Sequence, residues 1–476
     1  MLDPKDWEAF RALAHQAIDE SIDRLANVRQ EPAWRPVPPE ARAQLEGPLP
    51  LEPTPLEEVY RDFVSTIAPY PSGNLHPRFF GWVQGSGTAG GALADFLAAM
   101  MNPNVGGRDH GAVYVERQIV SWSRALFGFP DAASGVLTVG SSAANLIAVL
   151  VARDRALGAD VRARGVDMPA SRLVAYASSA VHNSLVRAFD IAGLGSAALR
   201  RLPADADQRL DPLRVAQEIE NDRARGLQPF LLIGSAGTVD AGAIDPLDAL
   251  ADLAAAHGLW FHVDGALGAP AILAPSVAPR LRGLERADSL AFDFHKWLHV
   301  PYDAGCILVR DGEAHRAAFA SAPNYLARAS RGLAGGEPWF TDYTLDLSRG
   351  FRALKIWFTL REQGLRKLGA AMEMNLRQAR MLAAMVDADP RFERLAPVQL
   401  SVVCFLARTR GTDAQIDAFN EELVVRLQES GIAVTSSTRI HGRAAIRVNF
   451  TNHRTRDEDL PILLEALRQL ALSLES

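Results

Sequence analysis

A single lysine, Lys296, follows an apolar run and stands among aromatic residues, a setting that suits an amine able to attack a carbonyl. The run Ser289–Phe292 has the length and composition of a short buried strand. Asp293 and His295 come between this strand and Lys296, and Trp297 follows it. A lysine that forms an imine must be partly desolvated, so that it is neutral often enough to react. The same pattern is typical of a solvated surface lysine, so Lys296 needs a chemical partner before it indicates a site.

A carboxylate upstream, Asp264, supplies that partner. The strand-like run Leu259–Val263 ends in Asp264, Gly265 and Ala266. Pyridoxal phosphate needs two protein groups: a lysine that holds its aldehyde as a Schiff base, and a carboxylate that keeps its pyridine nitrogen protonated. The protonated ring is the electron sink that allows a substituent to leave the α-carbon of an amino acid. Asp264 and Lys296, each at the end of a strand, therefore predict a pyridoxal-phosphate site.

The residues His262–Ala266, followed by His295–Trp297, resemble motifs of the pyridoxal-phosphate-dependent group II decarboxylases, whose best-known members are aromatic-L-amino-acid decarboxylases. The resemblance extends from about residue 76 to residue 360 and continues more loosely into the C-terminal part. It implies fold type I, the α/β fold of aspartate aminotransferase, in which a mainly parallel seven-stranded sheet carries helices on both faces. The alternation of strand and helix patterns from about residue 135 to residue 310 favours the same architecture.

We expect three regions: an N-terminal helical dimerisation arm (residues 1–75), a large domain that binds pyridoxal phosphate (76–365) and a small C-terminal α+β domain (366–476). The arm contains a proline-rich segment, residues 32–55, that should run extended. Such an arm buries too little to be stable alone. In the family a similar segment wraps around the partner subunit, which implies a homodimer with its active site at the subunit interface. A helix folded onto its own chain is the alternative.

A strand-to-helix junction forms a candidate anion site. The strand-like run Val136–Val139 meets a glycine and two serines, and a helical pattern begins at Ala143. Free backbone N–H groups and the positive end of the helix dipole attract a phosphate there, and Ser141 and Ser142 add hydroxyl donors. N-capping by a serine is the structural alternative. In the family this junction holds the cofactor's phosphate, so the resemblance implies that role for both serines.

The resemblance also implies cofactor contacts for Ala266, Thr238 and His295. Among the positions at which this sequence departs from the family, relatives often carry a second threonine where Val239 stands and an asparagine where Asp293 stands. A carboxylate at position 293 would repel the phosphate unless it turned away or met a cation. We therefore expect Asp293 beside the cofactor under that condition.

Four further residues have roles that the resemblance implies. His182 falls where the family places the imidazole that stacks on the pyridine ring and contacts the substrate's carboxylate, although a histidine at a helix start is commonly structural. Phe80 and Trp82 fall in a region that lines the substrate pocket in relatives, although aromatic runs are commonly core. Tyr343 is the candidate for a loop tyrosine that enters the neighbouring subunit's site and protonates the carbon that has lost carbon dioxide. Packing as an anchor at the base of the loop is the alternative for Tyr343.

Composition excludes several other classes of protein. The 476 residues are 48% apolar, and the net charge of −6, with no long basic run, makes nucleic acid and anionic membranes poor partners. The two cysteines, Cys306 and Cys404, cannot form a disulfide framework and suit a reducing cytoplasm. We expect neither a signal peptide nor a transmembrane span. His295 and His299 are four residues apart, but no third ligand is apparent nearby, so we expect no metal.

Together these observations predict the decarboxylation of an aromatic L-amino acid, of the tryptophan, tyrosine, phenylalanine or dopa type, to its amine. The expected catalytic residues are Lys296, Asp264, His182 and Tyr343. No arginine stands out to bind the side chain of glutamate or cysteine sulfinate, while the aromatic residues near Trp82 favour an aromatic substrate. An aldehyde synthase, which also releases ammonia, is the nearest alternative. An aminotransferase or a non-catalytic binding protein on the same scaffold are the others, and the intact lysine and carboxylate oppose the latter.

Overall fold

A seven-stranded sheet forms the centre of the molecule. The computed structural model describes residues 2–158, 160–166, 172–321 and 328–475. The strands of the sheet are β1 (Ser134–Thr138), β2 (Leu173–Ser178), β3 (Leu199–Leu202), β4 (Gln228–Ser235), β5 (Trp260–Asp264), β6 (Ser289–Asp293) and β7 (Gly305–Val309). They lie in the order β1-β7-β6-β5-β4-β2-β3, and β7 runs antiparallel to both of its neighbours. The predicted mainly parallel, seven-stranded sheet is confirmed.

The N-terminal segment is helical in three pieces. These helices are α1 (Trp7–Ala26), α2 (Pro39–Leu45) and α3 (Leu56–Asp62). Asp6 caps α1, because its side chain accepts hydrogen bonds from the backbone of Glu8 and Ala9. No residue of α1 is buried. The prediction that the proline-rich segment runs extended was wrong over α2. Pro39 occupies the first helical position there, where its missing N–H costs no hydrogen bond.

Helices surround the central sheet, either in contact with its strands or packed on other helices. They are α4 (Ala89–Met101), α5 (Gly111–Phe127), α6 (Ser141–Leu157), α7 (Val161–Arg164), α8 (Asn183–Ile191), α9 (Pro212–Ala224), α10 (Leu247–His257) and α11 (Gly312–Phe319). Every residue of β2, β5, β6 and β7 is buried. Strands that are apolar without alternation are typical of a sheet covered on both faces. None of the helices in the described part of the chain is long and apolar enough to span a membrane.

The C-terminal part builds a second, smaller sheet. Its strands β8 (Phe392–Arg394), β9 (Val402–Ala407), β10 (Ser436–Ile440) and β11 (Arg443–Asn449) lie antiparallel in the order β10-β11-β9-β8. The remaining helices are α12 (Arg352–Ala388), α13 (Asp413–Glu429) and α14 (Asp459–Glu475). The helical path of α12 is interrupted at Gly364, whose φ of 67° lies in the left-handed region that glycine tolerates.

The strand register places the chemical groups at one edge of the central sheet. Asp264, the last residue of β5, pairs with Ser235 on β4 and with Ala291 on β6. Lys296 follows β6 by three residues, so Lys296 and Asp264 both lie at the carboxyl ends of adjacent parallel strands. In open α/β sheets, ligands bind at this edge. The sheet therefore positions a site whose elements are otherwise distant in the chain.

Candidate active site

A cavity of about 540 Å³ opens at the carboxyl edge of the sheet, beside the start of α6. The predicted site residues that line it are Trp82, Ser141, Ser142, His182, Thr238, Asp264, Ala266, Asp293, His295 and Lys296. The structure therefore brings together every residue that the sequence singled out, apart from Phe80 and Tyr343. No group of three His, Cys, Asp or Glu side chains in the described ranges is arranged to hold a metal ion.

The ammonium group of Lys296 lies beside a buried carboxylate. Its Nζ is 3.0 Å from Oδ2 of Asp293, a side chain that is almost fully buried. The other oxygen, Oδ1, accepts a 2.8 Å hydrogen bond from the backbone N–H of Ser141 at the start of α6. Asp293 thus meets both a cation and the positive end of a helix, which stabilises its charge. Meeting a cation is one of the two conditions under which a carboxylate was expected to be tolerated here.

Both carboxylate oxygens of Asp264 accept hydrogen bonds. Oδ1 accepts a 3.1 Å bond from the backbone N–H of Ala266, and Oδ2 accepts a 3.1 Å bond from Nδ2 of Asn145. An ionised carboxylate is an acceptor only, so this arrangement suits the charged form. Asp264 also lines the cavity. It can therefore hold a proton on a ring nitrogen placed there.

The start of α6 offers a free donor. The hydroxyl oxygen of Ser141 is buried and has no hydrogen-bond partner in the described structure. Neither Ser141 nor Ser142 caps the helix through its side chain, so the N-capping alternative is not what this junction shows. A buried hydroxyl without a partner is costly unless a ligand completes it. Its position at a helix N-terminus suits a phosphate.

His182 both caps a helix and lines the cavity. It precedes α8 and caps it, because Nδ1 accepts a 3.2 Å hydrogen bond from the backbone N–H of Ser184. The same nitrogen lies 2.8 Å from the Ser184 hydroxyl. The ring also lines the cavity. The cap fixes the ring's orientation, which is what a residue that stacks on a flat ligand requires.

Tyr302 is a cavity residue to which the sequence analysis assigned no role. Its ring centre lies 4.2 Å from that of His295, with the planes inclined by 33°. Burial lowers the pKa of His295. A β-carbon at Gly85 would lie 2.0 Å from the carbonyl oxygen of His295, so this close approach requires glycine. The chain at Gly85 therefore packs closely against the turn that carries Lys296.

Phe80 does not line the cavity, which corrects the prediction that it contacts substrate. The side chain is 1% exposed and belongs to the core of the C-terminal sheet, with its ring centre 5.3 Å from that of Phe450. Its backbone bonds to Val434 and Asn449, so the segment lies along that sheet. Trp82, two residues on, has a positive φ of 49° and does line the cavity.

Tyr343 also lies outside the cavity of its own chain. Its ring centre is 5.1 Å from that of His315, and its carbonyl oxygen accepts a 2.8 Å bond from Nε2 of His315. The preceding residue, Asp342, is paired with Arg328 and Arg316. These contacts favour the anchoring alternative over the role of proton donor. Residues 322–327 of the same loop lie outside the described structure.

Arg447 on β11 connects the small sheet to the cavity wall, a role that the sequence did not indicate. Its Nε donates a 2.8 Å bond to the carbonyl oxygen of Val239, and Nη1 donates a 2.8 Å bond to that of Trp82. Val239 and Trp82 both line the cavity. The side chain is buried, and a charge between the apolar residues Ile446 and Val448 was the available signal.

Known proteins resemble this chain along nearly its whole length. The pyridoxal-dependent decarboxylase conserved domain matches residues 38–408. An aromatic-L-amino-acid decarboxylase from Bacillus atrophaeus is 32% identical over 470 residues, which cover 98% of this chain and 96% of that protein. A phenylacetaldehyde synthase from Petunia hybrida is 29% identical over 470 residues, covering 94% and 90%. The crystal structure of Oryza sativa TDC with PLP and tryptamine has a TM-score of 0.90 and 26% identity, covering 100% of both chains.

The chain therefore belongs to the pyridoxal-dependent decarboxylase family. It is an amino-acid decarboxylase whose cofactor is pyridoxal phosphate, and the predicted family, fold class, enzyme class and cofactor are confirmed. The residues of the cavity fit that cofactor on their own chemistry. They comprise an amine (Lys296), a carboxylate that accepts two N–H bonds (Asp264), an oriented imidazole (His182) and a buried hydroxyl without a partner (Ser141).

Proposed function

We propose that this enzyme removes the carboxyl group of an aromatic L-amino acid, giving the amine and carbon dioxide. The observation that carries the proposal is the cavity wall, where Trp82, Val239, Leu267 and Tyr302 lie together and no arginine is among the described lining residues. Aromatic and aliphatic walls suit an aromatic side chain. A carboxylate side chain, as in glutamate, would need a buried cation in the same place. The names of the Bacillus atrophaeus and Oryza sativa relatives support the same substrate class.

Each residue has a separate task in this proposal. Pyridoxal phosphate, when bound, supplies the ring that accepts the electron pair released as the carboxyl group leaves. Lys296 supplies the amine that holds the cofactor, and Asp264 keeps the proton on its ring nitrogen. His182 would stack on the ring and orient the carboxylate of the substrate. The residues proposed to contact the cofactor elsewhere are Ser141, Ser142, Thr238, Ala266, Asp293 and His295.

We also propose a homodimer with its active site at the subunit interface. Helix α4 exposes a row of apolar side chains, namely Leu93, Phe96, Leu97, Met100 and Met101. Exposed apolar patches of this kind mark interaction surfaces. Lys355 ties α4 to the cavity, because its Nζ donates a 3.1 Å bond to Asp95 and a 2.9 Å bond to the carbonyl oxygen of Tyr302. A second copy seated on α4 would therefore border the cavity.

We retain the division into residues 1–75, 76–365 and 366–476 as a proposal. Separate sheets on the two sides of the second boundary support it, as does the interruption of α12 at Gly364. We further propose a cytoplasmic location. Both cysteines, Cys306 and Cys404, are free and buried, which suits a reducing compartment.

A product assay tests the proposed reaction. Purified protein with pyridoxal phosphate is offered a panel of L-amino acids, and carbon dioxide, amine, ammonia and hydrogen peroxide are measured. We expect an aromatic amine that disappears in Lys296→Ala and persists in Lys367→Ala, since Lys367 is exposed. Stoichiometric ammonia and peroxide would instead identify the aldehyde-forming reaction of the Petunia hybrida relative. Amine from acidic substrates alone would overturn the proposed specificity.

A further inference from the structure

Asn145, a fully buried residue of α6, joins the two groups that are proposed to act on the cofactor ring. Its Nδ2 donates a 3.1 Å bond to Oδ2 of Asp264 and a 3.0 Å bond to the hydroxyl of Ser184. Ser184 lies 2.8 Å from Nδ1 of His182. The remaining atom, Oδ1 of Asn145, is 2.9 Å from Nε2 of His262. One fully buried amide thus connects three functional groups through direct hydrogen bonds.

The direction of these bonds follows from the chemistry of Asp264. A carboxylate oxygen cannot face an amide oxygen at hydrogen-bond distance, so the amino group of Asn145 must face Asp264. Oδ1 of Asn145 then faces His262, whose Nε2 must carry a proton. Burial lowers the pKa of His262 to about 4, so the ring is neutral and its Nδ1 is an acceptor. Nδ1 lies 2.9 Å from the hydroxyl of Ser289, which completes the ring's bonding.

The second amide proton of Asn145 orients the hydroxyl of Ser184, which in turn contacts His182. Because Ser184 Oγ accepts this proton, its own hydroxyl hydrogen is free to point at Nδ1 of His182. That nitrogen also accepts the backbone N–H of Ser184. A neutral His182 therefore carries its proton on Nε2. Through Ser184, Asn145 helps to select the nitrogen with which His182 can donate to a ligand.

We infer that Asn145 is a positioning residue that holds Asp264 and His182 in one arrangement toward the cofactor ring. Outer residues that orient the groups in direct contact with a bound ligand typically change affinity or activity by 10- to 100-fold when removed, roughly the range known for metal sites. The inference rests on the roles proposed above for Asp264 and His182. It does not depend on which amino acid is the substrate.

Ligand affinity separates this role from a purely structural one. Absorbance titrations of the full chain use pyridoxal phosphate and an analogue in which carbon replaces the ring nitrogen, and therefore has no partner for Asp264. We expect Asn145→Leu, which is similar in size but lacks the amide donors, to weaken pyridoxal phosphate about tenfold relative to the analogue. Equal weakening of both ligands, or no change in a folded variant, would overturn the inference.

A matched control is available in the small domain. Asn420 is also buried and makes three bonds of the same kind, accepting from the backbone N–H of Ala407 and donating to the carbonyl oxygens of Ala407 and Ile416. We expect Asn420→Leu to lower the Tm without changing the affinity ratio. A shift of the ratio in this variant as well would show that the ratio reports general damage and would contradict the inference.

A second variant tests the link from Asn145 through Ser184 to His182, and it does not depend on whether Asn145→Leu folds. Ser184→Ala removes the hydroxyl between Asn145 and His182 and leaves the bond to Asp264 in place. We expect an unchanged affinity ratio together with a KM for the amino acid raised about tenfold. An unchanged KM would contradict the claim that Asn145 positions His182 through Ser184. If no amino acid yields amine while Asn145→Leu still changes the ratio, the proposed function fails and the positioning role of Asn145 stands.

Discussion

Asp293 brings a negative charge to the place where the cofactor's phosphate is proposed to bind. Its carboxylate already occupies the first backbone donor of α6 and the ammonium of Lys296. Two like charges a few ångströms apart repel by about 1 kcal/mol in water and by more where solvent is excluded. Asp293 is therefore expected to oppose the phosphate while it stabilises the protein without cofactor.

Asp293→Asn keeps the acceptor for Ser141 and removes the charge. We expect it to raise the affinity for pyridoxal phosphate about tenfold, which corresponds to roughly 1.4 kcal/mol. Pyridoxal, which lacks the phosphate, serves as the control ligand and should gain less. Absorbance titration of both ligands measures the difference. An equal gain in affinity for both ligands would mean that Asp293 acts through Lys296 alone. Weaker binding of pyridoxal phosphate would mean that the charge of Asp293 favours cofactor binding.

The sequence indicated the residues that follow strands and missed those that support them. Lys296 and Asp264 each follow an apolar run, and the two groups together, at the carboxyl edge of a parallel sheet, indicate a site that a lysine alone would not. Asn145 and Ser184 lie near helix starts, where polar residues are ordinary, and only the packing of α6 against α8 and β5 shows that they are buried. Their partners are distant in sequence, so no local pattern could reveal them.

At the scale of elements, the loop that leads into α12 is fixed at its base. Arg328 pairs with Asp342 and lies over the ring of Trp339, while Arg349 forms a buried pair with Glu116. A residue within this network would have to break several contacts to move. Tyr343 directly follows Asp342, so its movement into a cavity would require these contacts to break. Tyr325 is the other tyrosine of the loop in the sequence.

Two matched substitutions test whether either tyrosine of this loop acts as the acid. We expect Tyr343→Phe to retain turnover, because its ring would still pack on His315. We expect Tyr325→Phe to lower amine formation about 100-fold, the usual contribution of a general acid. Single-turnover measurements with an aromatic amino acid compare the two variants. Loss of turnover in Tyr343→Phe with normal turnover in Tyr325→Phe would restore the original assignment and require the loop base to open.

Phe80 shows why element-scale prediction failed in one place. An aromatic run ahead of a glycine-rich loop has the same local pattern whether it lines a pocket or joins a sheet. Here the backbone of Phe80 donates to Val434 and accepts from Asn449, residues more than 350 positions away. Pairing of this kind depends on tertiary context. The central strands were predictable because uninterrupted apolar runs need no distant information.

At the scale of the whole molecule, the exposed face of α4 makes the dimer testable. Phe96→Asp places a charge on this face, and burying it against a second copy would cost several kcal/mol. We expect this variant to sediment as a monomer. Because the active site is proposed to lie at the subunit interface, we also expect it to lose amine formation. Leu213→Asp is the control, since Leu213 is 81% exposed on α9. A dimeric Phe96→Asp would place the interface elsewhere, and an active monomer would remove the second subunit from the site.

Buried histidines make the folded enzyme sensitive to acid. Burial lowers the pKa of His262 to about 4 and that of His315 to about 3, whereas an unfolded histidine titrates near 6.5. Below pH 6.5 the unfolded chain therefore binds more protons than the folded one, and the free energy of unfolding falls as the pH decreases. The stability is fully present above pH 6.5 and is lost between that value and about pH 4 for His262 or about pH 3 for His315.

The contribution of one histidine to this pH dependence of stability can be measured by substitution. Each such histidine contributes up to about 1.4 kcal/mol per pH unit within the window. His315→Asn should lower stability at pH 7.5, because it disturbs the bonds to Ser134 and Tyr343, and yet flatten the dependence on pH. His15→Asn, at an exposed position on α1, should leave the slope unchanged. Urea unfolding at pH 7.5, 6 and 5 measures both. A slope that His315→Asn does not change would mean that His315 is already protonated in the folded protein, or that carboxylates control the acid transition.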